Sequence, residues 1–155
     1  MNTRFCALIV LVLSLPATSF AQSEKTEPSL ADLTADEKME AAFDDMAGDV
    51  ELPDWVKSKA VTSPGQRVSF DGKEYLAMTG CEQHQCGAHK IAVLYEEQSG
   101  TMYGLLTAED EESGGETLTW LNIGGGPESI DGKTLLFAAV TGSIENHPED
   151  FQYAQ

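Results

Sequence analysis

The sequence predicts an α+β domain built on a five-stranded antiparallel sheet, with helical segments before and after it. Apolar residues alternate with polar ones in five short runs between residues 67 and 123, as in Tyr75, Ala77, Thr79 and in Ile91, Val93, Tyr95. Short turn signals, Asp71-Gly72 and Gln98-Ser99-Gly100, separate these runs. Ahead of the sheet, Met39, Ala42, Phe43 and Met46 recur at helical spacing. Strands joined in sequence by short turns pair antiparallel, so the sheet is expected to be a meander.

The first residues read as a leader. Met1 to Arg4 is short and basic, and residues 5–15 are almost wholly apolar, too short to span a bilayer. Ser19-Phe20-Ala21 places small residues where a signal peptidase cuts, so residues 1–21 are expected to be a signal peptide. The mature chain is then Gln22 to Gln155, 134 residues, a length that suits a single domain with its own core. No further membrane-spanning segment is expected. Cleavage removes Cys6 and leaves Cys81 and Cys86. Export implies an oxidising compartment, where an even pair reads as a disulfide; two free thiols are the alternative.

The protein is strongly acidic, with 26 Asp and Glu against 9 Lys and Arg and a net charge of −17. Losing Arg4 with the leader leaves 26 against 8, a net of −18. Nucleic acid is excluded as a partner, since phosphate contacts need a basic surface. A basic protein partner fits, because opposite fields speed encounter; acidity that merely keeps the protein soluble fits equally.

Residues 22–31 are polar and contain Pro28, and read as a loose arm. Thr34 with Glu37 three positions on is a capping-box pattern for a helix that ends at Gly48. Residues 52–56, with Pro53 near the start, read as a second short helix whose Trp55 packs on the sheet. Ser63-Pro64-Gly65 is a turn. The five strands are expected at 67–70, 74–80, 90–97, 102–108 and 117–123. An acidic loop containing Gly114-Gly115 joins the last two. Gly124-Gly125-Gly126 lacks the Lys-Ser/Thr of a phosphate-binding loop and reads as a connection. Residues 134–141 are expected to be a buried helix, with Asp131 as N-cap and Gly142 beyond its C-terminus. Residues 145–148 read as a final turn before a polar tail.

The stretch with most to say about function is Cys81-Glu82-Gln83-His84-Gln85-Cys86, at the expected tip of a hairpin. A disulfide would close these six residues and present His84. An imidazole can bond two acids at once, which suits a carboxylate-lined cleft. On spacing alone, an incidental solvated histidine on a stapled turn is the better explanation of the pattern. Cys81, His84, Cys86 and His89 are also a metal-ligand set by residue type. The span is too tight to wrap one ion, and disulfide-bonded cysteines cannot ligate, so no metal or other cofactor is expected. A Cys–His nucleophile pair would need a free thiolate. The carboxylates Glu109, Asp110, Glu111 and Glu112 show no division into acid and base. No hydrolase, metalloprotease or nucleotide motif is present, and the chain is not expected to be an enzyme.

The chain resembles the inhibitor of vertebrate lysozyme (Ivy) family from the first helix onward. The resemblance is carried by Leu52-Pro53 with Trp55-Val56, Cys86-Gly87, Lys90-Ile91-Ala92-Val93 and Leu118-Thr119-Trp120-Leu121-Asn122. It continues in Ser129-Ile130-Asp131-Gly132-Lys133-Thr134, Leu136-Phe137-Ala138-Ala139, Thr141-Gly142-Ser143 and Glu145-Asn146-His147-Pro148. It implies helices on both faces of the sheet in three α/β/α layers, a periplasmic location, and often a homodimer. It also implies that the disulfide loop enters the cleft of C-type lysozyme, with His84, held by Cys81 and Cys86, on the two catalytic carboxylates. Glu82, Gln83 and Gln85 flank it as further partner contacts. The usual loop of the family reads Cys-Lys-Pro-His-Asp-Cys. Here Glu82 replaces the lysine, bringing a charge that an acidic cleft would repel. Gln83 replaces the proline and loosens the loop, and Gln85 removes a charge beside the histidine. The alternative reading is therefore a periplasmic binding or stress protein that kept the fold and lost the inhibition.

Overall fold

The computed structural model describes residues 26–110, 112–126 and 128–152. The expected signal peptide, 1–21, lies outside the described residues. Six strands form one antiparallel sheet: β1 (Ala60–Thr62), β2 (Gln66–Phe70), β3 (Lys73–Glu82), β4 (His89–Glu96), β5 (Thr101–Glu109) and β6 (Glu116–Leu121). From β2 to β6 they run as the expected meander. The Asp71-Gly72 signal forms its hairpin because both residues reach positive φ, 50° and 67°. β1 is additional. It pairs with residues 80–82 of β3, while β2 pairs with residues 73–77 on the same edge. One long strand is thus backed by two short ones. β1 has a single large apolar residue, Val61, which is exposed, so it carries no alternation by which to be recognised.

Helices cover both faces. On one side lie a 3₁₀ helix (Leu30–Ala35), α1 (Glu37–Ala47) and α2 (Trp55–Ser58). Their Leu30, Leu33, Met39, Phe43, Met46 and Trp55 pack with Leu76, Met78, Ile91, Val93 and Leu121 of the sheet. On the other side, α3 (Glu128–Val140) and α4 (Ser143–Asn146) bring Leu135, Leu136, Ala139 and Ile144 against Phe70, Tyr75, Ala92, Leu94 and Leu105. The middle of β3 and β4 is therefore buried on both faces, and consecutive residues 91–95 are all covered. Among the described residues, no helix is long and apolar enough to cross a membrane.

Several local expectations are corrected. The arm is not loose over its described part: Leu30 is buried, Gly65 N–H donates to Pro28 O at 2.9 Å, and Glu27 pairs with Arg67 at 2.8 Å. Thr34 is not a cap. Ser29 and Asp32 form a reciprocal capping box on the 3₁₀ helix, and Asp36 Oδ1 accepts from the backbone of Lys38 and Met39 to start α1. An aspartate directly ahead of the helix satisfies two orphan N–H groups, which outweighs the Thr34–Glu37 spacing. α3 begins before Asp131, which sits inside the helix and is no N-cap. β6 stops at Leu121 because Asn122 turns to φ 51° and donates its side-chain N–H to Met102 O. Residues 145–148 are not a simple turn: α4 runs into a 3₁₀ helix (Pro148–Phe151), and Gln152 bonds to Ser69 and to Arg67 O beside β2.

Candidate functional site

β3 and β4 pair from Leu76↔Tyr95 to Cys81↔Lys90, and the Cys81–Glu82–Gln83–His84–Gln85–Cys86 stretch projects from their end. Cys81 and Cys86 are disulfide-bonded, with their Cα atoms 4.8 Å apart. Gln85 N–H donates to Glu82 O at 2.9 Å, closing a turn over residues 82–85. His84, at the third place of that turn, has φ 70°. A single positive φ at this place is the signature of a type II turn, which normally calls for Gly or Asn. A second turn follows at once: Ala88 N–H and His89 N–H both donate to Gln85 O at 2.9 Å.

Gln83, His84, Gln85 and Cys86 are exposed, and His84 projects into solvent from backbone that is fixed covalently and by turn bonds. Glu82 behaves otherwise. Its Oε2 lies 2.5 Å from Nδ1 of His89, and both side chains are about two-thirds covered. This carboxylate sits at the neck of the loop, engaged by an imidazole. The sequence does hold the signal for the pair. Continuing the strand register one rung past Cys81↔Lys90 sets residue 82 opposite residue 89, but only once that register is known.

The four residues of the metal-ligand set are not brought together for an ion. Both cysteines are consumed in the disulfide, and His89 is bonded to Glu82. Among the described residues, no group of three or more His, Cys, Asp or Glu is disposed to hold a metal.

Two clefts flank the loop. One, of about 280 Å³, lies toward α3 and is lined by Cys81, Cys86, Lys90, Thr79, Thr141 and Glu145. The other, of about 230 Å³, lies toward α2 and is lined by Pro53, Trp55, Glu82, His89, Leu106 and Ala108. Sequence reasoning did not foresee these, because each is formed by elements distant in the chain. What the arrangement offers chemically is one exposed imidazole able to donate and accept, on a disulfide-closed turn, in a protein of net charge −17.

Comparison with known proteins gives one consistent answer. Residues 38–120 match the family model described as inhibitor of vertebrate lysozyme (Ivy). Two curated proteins of that name, from two Escherichia coli strains, are each 42% identical over 144 residues, 93% of this chain and 89% of theirs. A third so named, from Pseudomonas aeruginosa, is 28% identical over 94 residues, 59% of this chain and 61% of its own.

Proposed function

The chain belongs to the inhibitor of vertebrate lysozyme family, a family of non-enzymatic proteins, and on that premise we propose that it inhibits C-type lysozyme by inserting the 81–86 loop into the enzyme's active-site cleft. The observation that carries this is the exposed His84 on a disulfide-closed turn. Lysozyme's cleft holds two carboxylates with separate roles, one as acid and one as nucleophile. An imidazole placed between them bonds both and leaves no room for the sugar. Gln83 and Gln85 accompany it as neutral contacts. A loop already closed loses little conformational freedom on insertion, so more of the contact energy appears as affinity. The acidic surface steers the protein toward a basic enzyme. Export through residues 1–21 would place this encounter in the periplasm.

The test is a cell-wall lysis assay with the purified protein and C-type lysozyme, with His84→Ala beside it. Removing the ring is expected to weaken binding at least tenfold, about 1.4 kcal/mol. No inhibition at micromolar excess sinks the proposal, and an unchanged constant for His84→Ala removes the ring from the mechanism.

A second reading is a periplasmic binding or stress protein with the fold but without the inhibition. It is favoured by Gln83 and Gln85, which leave the tip with no group but His84 able to carry charge. Recovery of a partner other than lysozyme from periplasmic extract, with lysozyme unbound, would decide for it.

A further inference from the structure

The geometry points to Glu82 and His89 as a second, non-covalent clasp on the loop, acting as positioning residues that set how His84 is presented. This rests on the loop being the binding element.

The disulfide closes only residues 81–86. The return leg, Gly87 and Ala88, lies outside that ring, and a side chain at Gly87 would meet nothing within 4 Å. Backbone bonds hold this leg, Ala88 N–H and His89 N–H to Gln85 O at 2.9 Å and Glu109 N–H to Ala88 O at 3.0 Å, and Gly87 at its start is the place where the closed ring can still rock. The Glu82 Oε2–His89 Nδ1 contact of 2.5 Å closes a second ring over residues 82–89 that overlaps the first. His84 lies inside both.

The two closures also sit on opposite faces of the sheet. Successive residues of a strand point to opposite sides, so Cys81 and Glu82 diverge. Cys81 lines the cleft toward α3, whereas Glu82 and His89 line the cleft toward α2 beside Trp55. Restraint on one face alone would leave tilting toward the other; together the closures oppose both. The pair further explains the residue at position 82. A lysine there, as in the usual loop pattern, could only donate and would need Nδ1 as acceptor, whereas the Glu82 carboxylate accepts from Nδ1–H. A carboxylate at 82 and an imidazole at 89 make a matched set, standing where the proline at 83 is missing.

The test uses the purified, oxidised protein and begins without any lysozyme. Amide hydrogen exchange is measured at Gln85, Ala88 and His89, whose N–H groups hold the two turns. Glu82→Ala and His89→Ala are each expected to speed exchange at Gln85 and Ala88 about fivefold, with residues 91–95 unchanged as the check on folding. The reversed pair, Glu82→His with His89→Glu, is expected to restore the slow rates. Against C-type lysozyme, the single variants should dissociate about tenfold faster while associating at the wild-type rate. Loop amides that exchange at the wild-type rate in the single variants would overturn the clasp, as would failure of the reversed pair to restore them. If wild-type protein ignores lysozyme while the exchange pattern holds, the clasp stands and only the proposed function falls.

Discussion

At the scale of single residues, the loop shows a mismatch between its backbone and its side chains. Turn 82–85 places His84 at φ 70°, a region costly to most side chains, where histidine is enriched but still uncommon. The second place of such a turn favours proline, whose ring presets φ; this chain has Gln83 there. Gln83→Pro is expected to stabilise the protein by about 0.4–1 kcal/mol, by restricting the unfolded chain, and to tighten lysozyme binding severalfold. Thermal melts and titration calorimetry check this; a lower Tm would show that Gln83 holds a φ proline cannot adopt. The exposure of His84 was legible from its polar neighbours and the bracketing cysteines. Its left-handed backbone was not, because nothing in the residue type demands it. The destination of the Glu82 carboxylate was hidden too, since it depends on a residue seven positions away.

At the scale of elements, the antiparallel meander was legible because each hairpin has its own turn chemistry, and Asp71-Gly72 shows it most plainly. The 3₁₀ helix was not, since Leu30 and Leu33 are only two apolar residues at its spacing. β1 escaped because a three-residue strand has no period. The disulfide acts at this level, on the hairpin that carries the loop. Closing a six-residue ring restricts the unfolded chain by about 2 kcal/mol on the loop-closure model. The double variant Cys81→Ser, Cys86→Ser is expected to lose about that much in denaturant unfolding and to keep the sheet. A loss near zero would mean that the turn bonds at Gln85 and Ala88 already hold the ring in the unfolded ensemble.

For the whole molecule, charge decides the response to pH and salt. Asp32 and Glu96 are held below their ordinary values of 3.8 and 4.5. For Asp32 the cause is the Ser29 N–H and hydroxyl; for the buried Glu96 it is first the Ser99 hydroxyl, then the N–H groups of Ser99 and Gln98. A carboxylate whose folded value is depressed contributes stability above its unfolded value and loses it as pH falls through the folded one. Tm is therefore expected to be level above about pH 5 and to fall below about pH 4. Glu96→Gln should be less stable at neutral pH and show a shallower acid decline in the same melts. Salt acts on the encounter: association with a basic lysozyme is expected to slow at least tenfold between about 0.01 and 0.5 M salt, dissociation changing little. Stopped-flow mixing measures both, and a salt-independent association rate would show that net charge plays no part in capture.

A ring as small as the one between Cys81 and Cys86 cannot be straightened. Six residues drawn out would span roughly 17 Å, whereas their ends are tied 4.8 Å apart. Proteases grip their substrates as extended segments, so this tip offers them nothing to grip. Exposure of this tip therefore does not by itself make it easy to cut.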